Sequence, residues 1–197
     1  MKEIILASSS PRRKSLLEQL GLKFKVIPSG VREPVLPGFA PAELVEVLAR
    51  EKAQEVAGRL SSGLVIGADT VVVWRGQVMG KPACPREAVE MLKRLRADMH
   101  EVYTGLALID AASGESIAGC EITRVYFKYI SDGEIESYVA TKEPLDKAGA
   151  YAVQGKAAVF IERIEGCYTN VVGLPLARLD TMLKHFGVSI LPGGGAQ

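Results

Sequence analysis

The segment 8–14, SSSPRRK, brings hydroxyl groups and basic side chains together at the start of a predicted helix. Ser10 is a typical N-cap residue and the proline after it suits the first helical turn, so the spacing predicts a helix over 11–20. Basic residues are unfavourable there because a helix amino terminus carries partial positive charge, yet Arg12 and Arg13 occupy this turn. Backbone amides, hydroxyls and guanidinium groups that meet at a helix terminus bind phosphate, although a simple Ser10 cap with solvated cations is the alternative. The residues of the predicted anion site are Ser8, Ser9, Ser10, Arg12, Arg13 and Lys14.

Asp69 is a lone carboxylate inside an apolar segment, residues 64–74, that reads as a strand. Strands that are apolar on both faces are normally covered on both sides. A carboxylate buried there costs several kcal/mol unless it is paired, bound to a metal or protonated. A carboxylate in such a position could serve as a base. The alternative is that the strand ends at Ala68 and Asp69 starts a turn, but the valines at 71–73 argue against it.

Lys52 lies near the centre of the apolar arc of a predicted helix over about 41–58. Leu44, Leu48 and Val56 share its i, i+4 line. The sequence leaves two interpretations of this lysine open. Its side chain either extends along apolar surface to reach water, or it meets an anion in a cleft.

Two glycine-containing loops add candidate binding residues. The GKP loop at 80–82 presents Lys81 between a glycine and a proline. The loop 146–155, DKAGAYAVQG, has glycines that permit close backbone approach, and its Tyr151 and Gln154 could contact a flat heterocycle. Each loop taken alone is also compatible with an ordinary turn.

Glu33 lies in the segment 30–39, which glycine and proline residues mark as a loop. Together with a phosphate group, a carboxylate there would suit Mg²⁺ or Mn²⁺. The chemistry indicated by the whole set is metal-assisted attack of water on a phosphoryl group. The residues alone do not choose which phosphorus is attacked or which base is bound. The two histidines lack metal-ligand spacing, and Walker A, GxGxxG, GxSxG and HExxH motifs are absent from the sequence.

Composition excludes several classes of protein. The 197 residues carry 24 basic and 23 acidic side chains, a net charge of +1 that argues against a nucleic-acid-binding surface. Three scattered cysteines predict reduced thiols rather than disulfides or a zinc knuckle. The apolar run near the start is too short for a signal peptide, and no segment approaches the length of a membrane span. We expect a cytoplasmic protein with no membrane or nucleic-acid partner.

Strands and helices alternate first and strands then cluster, which predicts an α/β fold with a mixed, twisted central sheet and flanking helices. The predicted strands cover about 3–8, 23–28, 64–74, 100–110, 115–129, 157–164 and 168–173. The predicted helices cover 11–20, 41–58, 86–96, 131–141 and 175–186. We expect one domain over residues 1–190 and a flexible C-terminal tail over 191–197.

Five segments in order resemble the Maf family of nucleoside triphosphate pyrophosphatases, once called septum formation proteins. They are LASSSPRRKSLL, VIGADTVVV, GKP, YVATKEPLDKAGAYAVQG and NVVGLPL, and the resemblance runs from about residue 3 to residue 186. The AGAYAVQG loop resembles the branch that hydrolyses dTTP and UTP, with Ala152 and Val153 where glycine and isoleucine are expected. The resemblance implies cleavage of the α–β phosphate bond, which yields a nucleoside monophosphate and pyrophosphate. It also implies an elongated fold related to inosine triphosphatases, with two lobes around a cleft. Members of the family are often dimers, so the resemblance also implies a possible homodimer.

The resemblance also implies a role for each candidate residue. Asp69 would be the general base that activates water, and Glu33 would help to place the divalent metal. The residues that would set pyrimidine selectivity are Arg12, Thr70 and Gln154. The residues that would hold the triphosphate are Ser8, Arg13, Lys52 and Lys81. Two alternatives are the same fold acting on modified or other nucleotides, and a non-catalytic nucleotide-binding regulator of cell division.

Overall fold

The chain folds into two units in this computed structural model, which describes residues 2–31 and 38–191. The described residues of the first unit fall within 1–69, 104–121 and 173–197, and those of the second within 70–103 and 122–172. Three long strands therefore contribute residues to both units. They are β3 (Leu64–Trp74), β5 (Met99–Asp110) and β6 (Ser116–Phe127).

The first unit contains parallel strands joined by helical crossovers. Its strand order is β2-β1-β3-β5-β6, in which β1 (Ile4–Leu6) runs parallel to both β2 (Phe24–Val26) and β3. Parallel neighbours need a long connection, and helix α1 (Pro11–Gln19) and helix α2 (Pro41–Ala57) supply it. Helix α6 (Leu176–His185) follows late in the chain. The core of the first unit consists of small side chains of α2 and aliphatic side chains of the strands: Ala49, Ala53, Val56, Ile5, Val65, Ala107 and Ile109.

The second unit adds antiparallel pairs. Strand β4 (Gln77–Met79) pairs with β3, and β7 (Ile161–Glu165) pairs with β6. Its helices are α3 (Pro85–Leu95), α4 (Asp132–Ala140) and α5 (Tyr168–Val172), with 3-10 turns at Glu143–Asp146, Ala148–Ala150 and Lys156–Phe160. Its core contains aliphatic side chains of α3 and α4 and several aromatic rings, among them Leu92, Leu95, Ile135, Phe127, Tyr138, Tyr151 and Phe160.

The predicted α/β class with a mixed sheet is confirmed, but three local predictions need correction. Residues 75 and 76 both have positive φ, so they close a tight hairpin that adds the unpredicted strand β4. The predicted strand at 157–164 is a 3-10 turn followed by β7. The predicted strand at 168–173 is helix α5, where the buried Asn170 amide donates to the carbonyl oxygen of Val102 at 3.0 Å.

Residues 192–197 lie outside the described residues, so the flexible tail over 191–197 stays a prediction. Within 2–31 and 38–191, no helix combines the length and apolar character needed to cross a membrane.

Candidate active site

The turn between β1 and α1 organises the predicted anion site. Ser10 caps the helix by accepting from the Arg13 amide at 3.5 Å, and the proline after it starts the helix. The Ser8 hydroxyl accepts from the Ser10 amide at 3.2 Å and from the Arg13 guanidinium at 3.1 Å. Ser8 and Arg13 are therefore brought together, as their prediction in one site requires.

Arg13 also has a structural partner that the sequence did not indicate. Its Nε donates to the carbonyl oxygen of Gly173 at 2.8 Å. Gly173 belongs to the NVVGLPL segment and has φ 119, a backbone conformation that favours glycine. Arg12, by contrast, is half-buried and makes no hydrogen bond or ion pair to any residue within the described ranges. Its guanidinium group has the donors needed to meet an anion.

Asp69 and Lys52 form a buried ion pair in the first unit. The Lys52 Nζ atom lies 2.5 Å from Asp69 Oδ1, and the two residues are 9% and 5% exposed. Asp69 is inside β3, so the alternative in which the strand ends at Ala68 is wrong. Lys52 does not extend to water, because its ammonium group is buried in contact with Asp69. That it meets a substrate anion stays a prediction. Pairing explains how both charges tolerate burial.

Two glycines allow α2 to approach the sheet closely enough for this contact. A Cβ atom at Gly67 would lie 2.2 Å from the carbonyl oxygen of Ala49 and 2.8 Å from the amide nitrogen of Ala53. Gly67 and Asp69 are two residues apart and share a face of β3. Ala49 and Ala53 flank Lys52 on the facing side of α2, so one packing arrangement holds the helix and forms the ion pair. A Cβ atom at Gly105 would similarly lie 2.0 Å from the carbonyl oxygen of Val45.

Replacing Gly67 by alanine is expected to lower the free energy of unfolding by about 3 kcal/mol, because the added methyl meets backbone rather than a side chain that can move. Urea unfolding followed by circular dichroism measures the change. Gly133→Ala is the matched control, since nothing lies within 4 Å of a Cβ atom at that helical position. Equal unfolding midpoints for Gly67→Ala and the unmodified protein would contradict the close-approach interpretation.

Strand register places Ser8 and Asp69 just beyond the last parallel pair of β1 and β3. Leu6 of β1 pairs with Ile66 of β3. Ser8 follows Leu6 by two residues and Asp69 follows Ile66 by three, in the same chain direction. The carboxyl ends of parallel strands are where open α/β sheets bind ligands. Ser8 and Asp69 thus both follow the parallel-paired segments of β1 and β3, and their joint role in one site stays a prediction.

The second unit brings the two glycine-containing loops together. The amide of Gly149 donates to the carbonyl oxygen of Gly80 at 3.0 Å, which joins the loop of Gln154 to the loop of Lys81. Both Lys81 and Gln154 are exposed, whereas Thr70 on β3 is half-buried. The suggestion that Tyr151 contacts a heterocycle is wrong, because its ring is buried in the core.

A divalent cation would find a single carboxylate in the described part of the site. Glu33 lies outside the described residues. Elsewhere, within 2–31 and 38–191, no group of three or more His, Cys, Asp or Glu side chains could hold a metal ion. That carboxylate is Asp69, whose Oδ1 is already paired with Lys52. Mg²⁺ is usually held by one or two carboxylates together with substrate phosphates and water. The donor set fits such a shared site better than an all-protein cage.

Comparisons with known proteins agree with the motifs. A family model described as Maf-like protein matches residues 3–186. A Pelotomaculum thermopropionicum protein named dTTP/UTP pyrophosphatase is 61% identical over 191 residues, covering 97% of this chain and 100% of that protein. A Methanosarcina mazei protein of the same name is 51% identical, covering 96% and 97% of the two chains. The structure is similar to that of the Staphylococcus aureus Ham1 protein, with a TM-score of 0.50 and 16% identity over 94% of this chain and 100% of that one. This last likeness concerns the fold alone and agrees with the predicted class.

Proposed function

The chain belongs to the Maf-like protein family, and we propose that it is a nucleoside triphosphate pyrophosphatase that hydrolyses dTTP and UTP to the monophosphate and pyrophosphate. The observation that carries this conclusion is the 61% identity, over nearly the whole chain, to a protein named dTTP/UTP pyrophosphatase. The buried ion pair of Lys52 and Asp69 supplies the chemical support, because a hydrolase needs a group that accepts a proton from water.

Asp69 is the general base of the proposed reaction. Lys52 holds Oδ1, and Oδ2 makes no hydrogen bond with any residue that the structure describes. We assign to Oδ2 the proton of the attacking water. The water oxygen then bonds to the α-phosphorus, the bond from that phosphorus to the bridging oxygen breaks, and pyrophosphate leaves with the bonding electrons. Lys52 orients the carboxylate throughout.

The triphosphate ligands of the proposal are Ser8, Arg13, Lys52 and Lys81. Charge develops on the bridging and terminal phosphate oxygens as the α–β bond breaks. Fixed cations that meet this charge lower the activation barrier more than they strengthen ground-state binding. The hydrogen bond from Arg13 to Ser8 supports this assignment, because it orients the guanidinium group before substrate arrives.

Glu33 is the residue that we propose to help place a divalent cation, Mg²⁺ or Mn²⁺, together with phosphate oxygens. When bound, such an ion neutralises phosphate charge and favours departure of pyrophosphate. We also propose that residues 1–190 act as one domain, in the cytoplasm, as a homodimer. The net charge of +1 supports a small nucleotide as the partner, without nucleic acid or membrane.

Arg12, Thr70 and Gln154 are the proposed selectivity residues, and Gln154→Ala tests this role. An amide can hydrogen-bond to the base edge of a pyrimidine, so its loss is expected to lower the ratio of kcat/KM for dTTP over dGTP by about tenfold or more. Gln77→Ala, at another exposed glutamine of the second unit, is the matched control. An unchanged ratio in Gln154→Ala would mean that the side chain of Gln154 does not distinguish pyrimidine from purine bases.

A panel of triphosphates incubated with Mg²⁺ or Mn²⁺ tests the function itself. The expected result is release of pyrophosphate from dTTP and UTP and slower turnover of purine nucleotides. Release of orthophosphate would contradict cleavage at the α–β bond. Turnover confined to modified nucleotides would favour a different substrate for the same fold, and no turnover at all would favour a non-catalytic binding protein.

A further inference from the structure

The loop that carries Gln154 is largely buried before it reaches the surface. Residues 149–153 are buried, and the chain becomes exposed at Gln154. Gly149 and Ala150 have φ 66 and φ 59, two successive left-handed residues. The second of these is unfavourable for an alanine and persists only where the surrounding structure holds it. This part of the loop therefore depends on its contacts with neighbouring elements.

Tyr151 provides the main contact, and His100 on β5 is its polar partner. The Tyr151 hydroxyl and His100 Nε2 are 2.6 Å apart, and the tyrosine ring packs edge-on against Phe127 with centroids 4.8 Å apart. His100 is 1% exposed, and within the described ranges its Nδ1 has no hydrogen-bond partner. Its one polar contact among these residues is therefore the loop tyrosine. A buried imidazole retained for a single hydrogen bond indicates a role in fixing that loop.

The loop is also held on the far side of Gln154. The Glu143 carboxylate accepts from the Lys156 amide at 3.1 Å and from the Tyr138 hydroxyl at 3.2 Å. Gly155 has φ 113, and a Cβ atom there would lie 2.6 Å from Glu143 Oε1. Gln154 thus projects from a short exposed segment between two fixed points, three residues after Tyr151 and two before Lys156.

We propose that His100 and Tyr151 are positioning residues that set nucleotide selectivity by holding Gln154 in the orientation that reads the pyrimidine base. The inference rests on the proposed function, because selectivity is measured as turnover. Both residues are buried, so they act through the loop rather than by contact with the nucleotide. A small displacement of a recognition group is costly because hydrogen bonding to a base edge requires close geometry.

Tyr151→Phe removes the hydroxyl and keeps the ring. We expect the ratio of kcat/KM for dTTP over dGTP to fall about tenfold, with a raised KM for dTTP and kcat changed less than about twofold. Tyr126→Phe is the matched control, because it removes a surface hydroxyl that donates to Glu165. In the Gln154→Ala background, Tyr151→Phe should not change the ratio further, since both substitutions disable one recognition group.

Variants of His100 provide an independent test. His100→Gln can place an amide nitrogen near the position of the His100 Nε2 atom, so it is expected to keep the wild-type ratio of kcat/KM for dTTP over dGTP. His100→Leu fills the same space without the hydrogen bond to Tyr151, so it is expected to lower this ratio. Where one of these variants does not fold, as judged by circular dichroism, Tyr151→Phe decides the question.

The outcomes separate this inference from the proposed function. An unmodified protein that hydrolyses no triphosphate refutes the function. Selective hydrolysis of dTTP, with an unchanged ratio in folded Tyr151→Phe or His100→Leu, refutes only the positioning role. An equal loss of kcat/KM for every nucleotide would also refute it, because a merely structural role predicts that result.

Discussion

Asp69→Asn is expected to lower the rate of pyrophosphate release from dTTP by about 10³-fold, with nucleotide affinity changed less than about threefold. The amide keeps the size of the carboxylate, and its oxygen can still accept a hydrogen bond from Lys52. It cannot take the proton of the attacking water, and a positioned general base contributes roughly 10²- to 10⁴-fold. Steady-state kinetics at saturating dTTP measures the rate, and calorimetric titration with a non-hydrolysable analogue measures the affinity.

Asp110→Asn is the matched control for this substitution. Asp110 is also 5% exposed and also lies 2.5 Å from a lysine Nζ, that of Lys2, but it belongs to the far end of β5. It carries no role in the proposed reaction, so kcat should stay within about twofold of the unmodified protein. A loss in Asp110→Asn as large as in Asp69→Asn would mean that broken ion pairs, and not a missing base, explain the effect. Nearly full activity in Asp69→Asn would reject the base directly.

The two halves of this ion pair were each visible in the sequence, but their contact was not. Asp69 stood out as a charge in an apolar strand, and Lys52 as a charge in an apolar helix face. Both were exceptions to local pattern, and such exceptions concentrate at functional sites. Their pairing depends on where α2 lies against the sheet, which Gly67 permits through backbone contact. A glycine in a strand signals close approach, but not which element approaches.

Other features could not be predicted from the sequence, because they depend on contacts between residues that are distant in the chain. The loop glycines on either side of Tyr151 suggest a ring that could contact a flat heterocycle, yet the ring packs against His100 and Phe127. Residues 168–173 resemble a strand by their valines, but the Asn170 side chain, which also donates to Thr123 Oγ1 at 2.9 Å, holds them as a helix. Short segments of this kind take their conformation from tertiary contacts rather than from intrinsic propensity. The helix cap at Ser10 is local, and it was predicted correctly.

His100 is expected to make the protein less stable as the pH falls below about 6.5. Burial lowers the pKa of His100 to about 3, and the charge of nearby Asp98 opposes this shift only in part. Between about pH 3 and pH 6.5, the histidine of the unfolded chain, with its ordinary pKa, binds a proton, whereas the buried His100 of the folded protein does not. Stability from this group is therefore complete above about pH 6.5 and falls by about 1.4 kcal/mol per pH unit below it. The loss is about 2 kcal/mol at pH 5 and approaches about 5 kcal/mol near pH 3.

His100→Gln isolates this effect, because glutamine can replace the hydrogen bond to Tyr151 but does not titrate. Urea unfolding followed by the fluorescence of Trp74, the one tryptophan of the chain, measures stability at several pH values between 7.5 and 5. Asp98, Asp110 and other carboxyl groups have pKa values lowered by hydrogen bonds and lysine or arginine partners, so they titrate mainly below this window. Between pH 7.5 and pH 5, the free energy of unfolding of the unmodified protein should therefore fall by about 2 kcal/mol more than that of the variant. Parallel curves for the two proteins would mean that the imidazole is accessible to protons in the folded state, and the buried contact with Tyr151 would then be wrong.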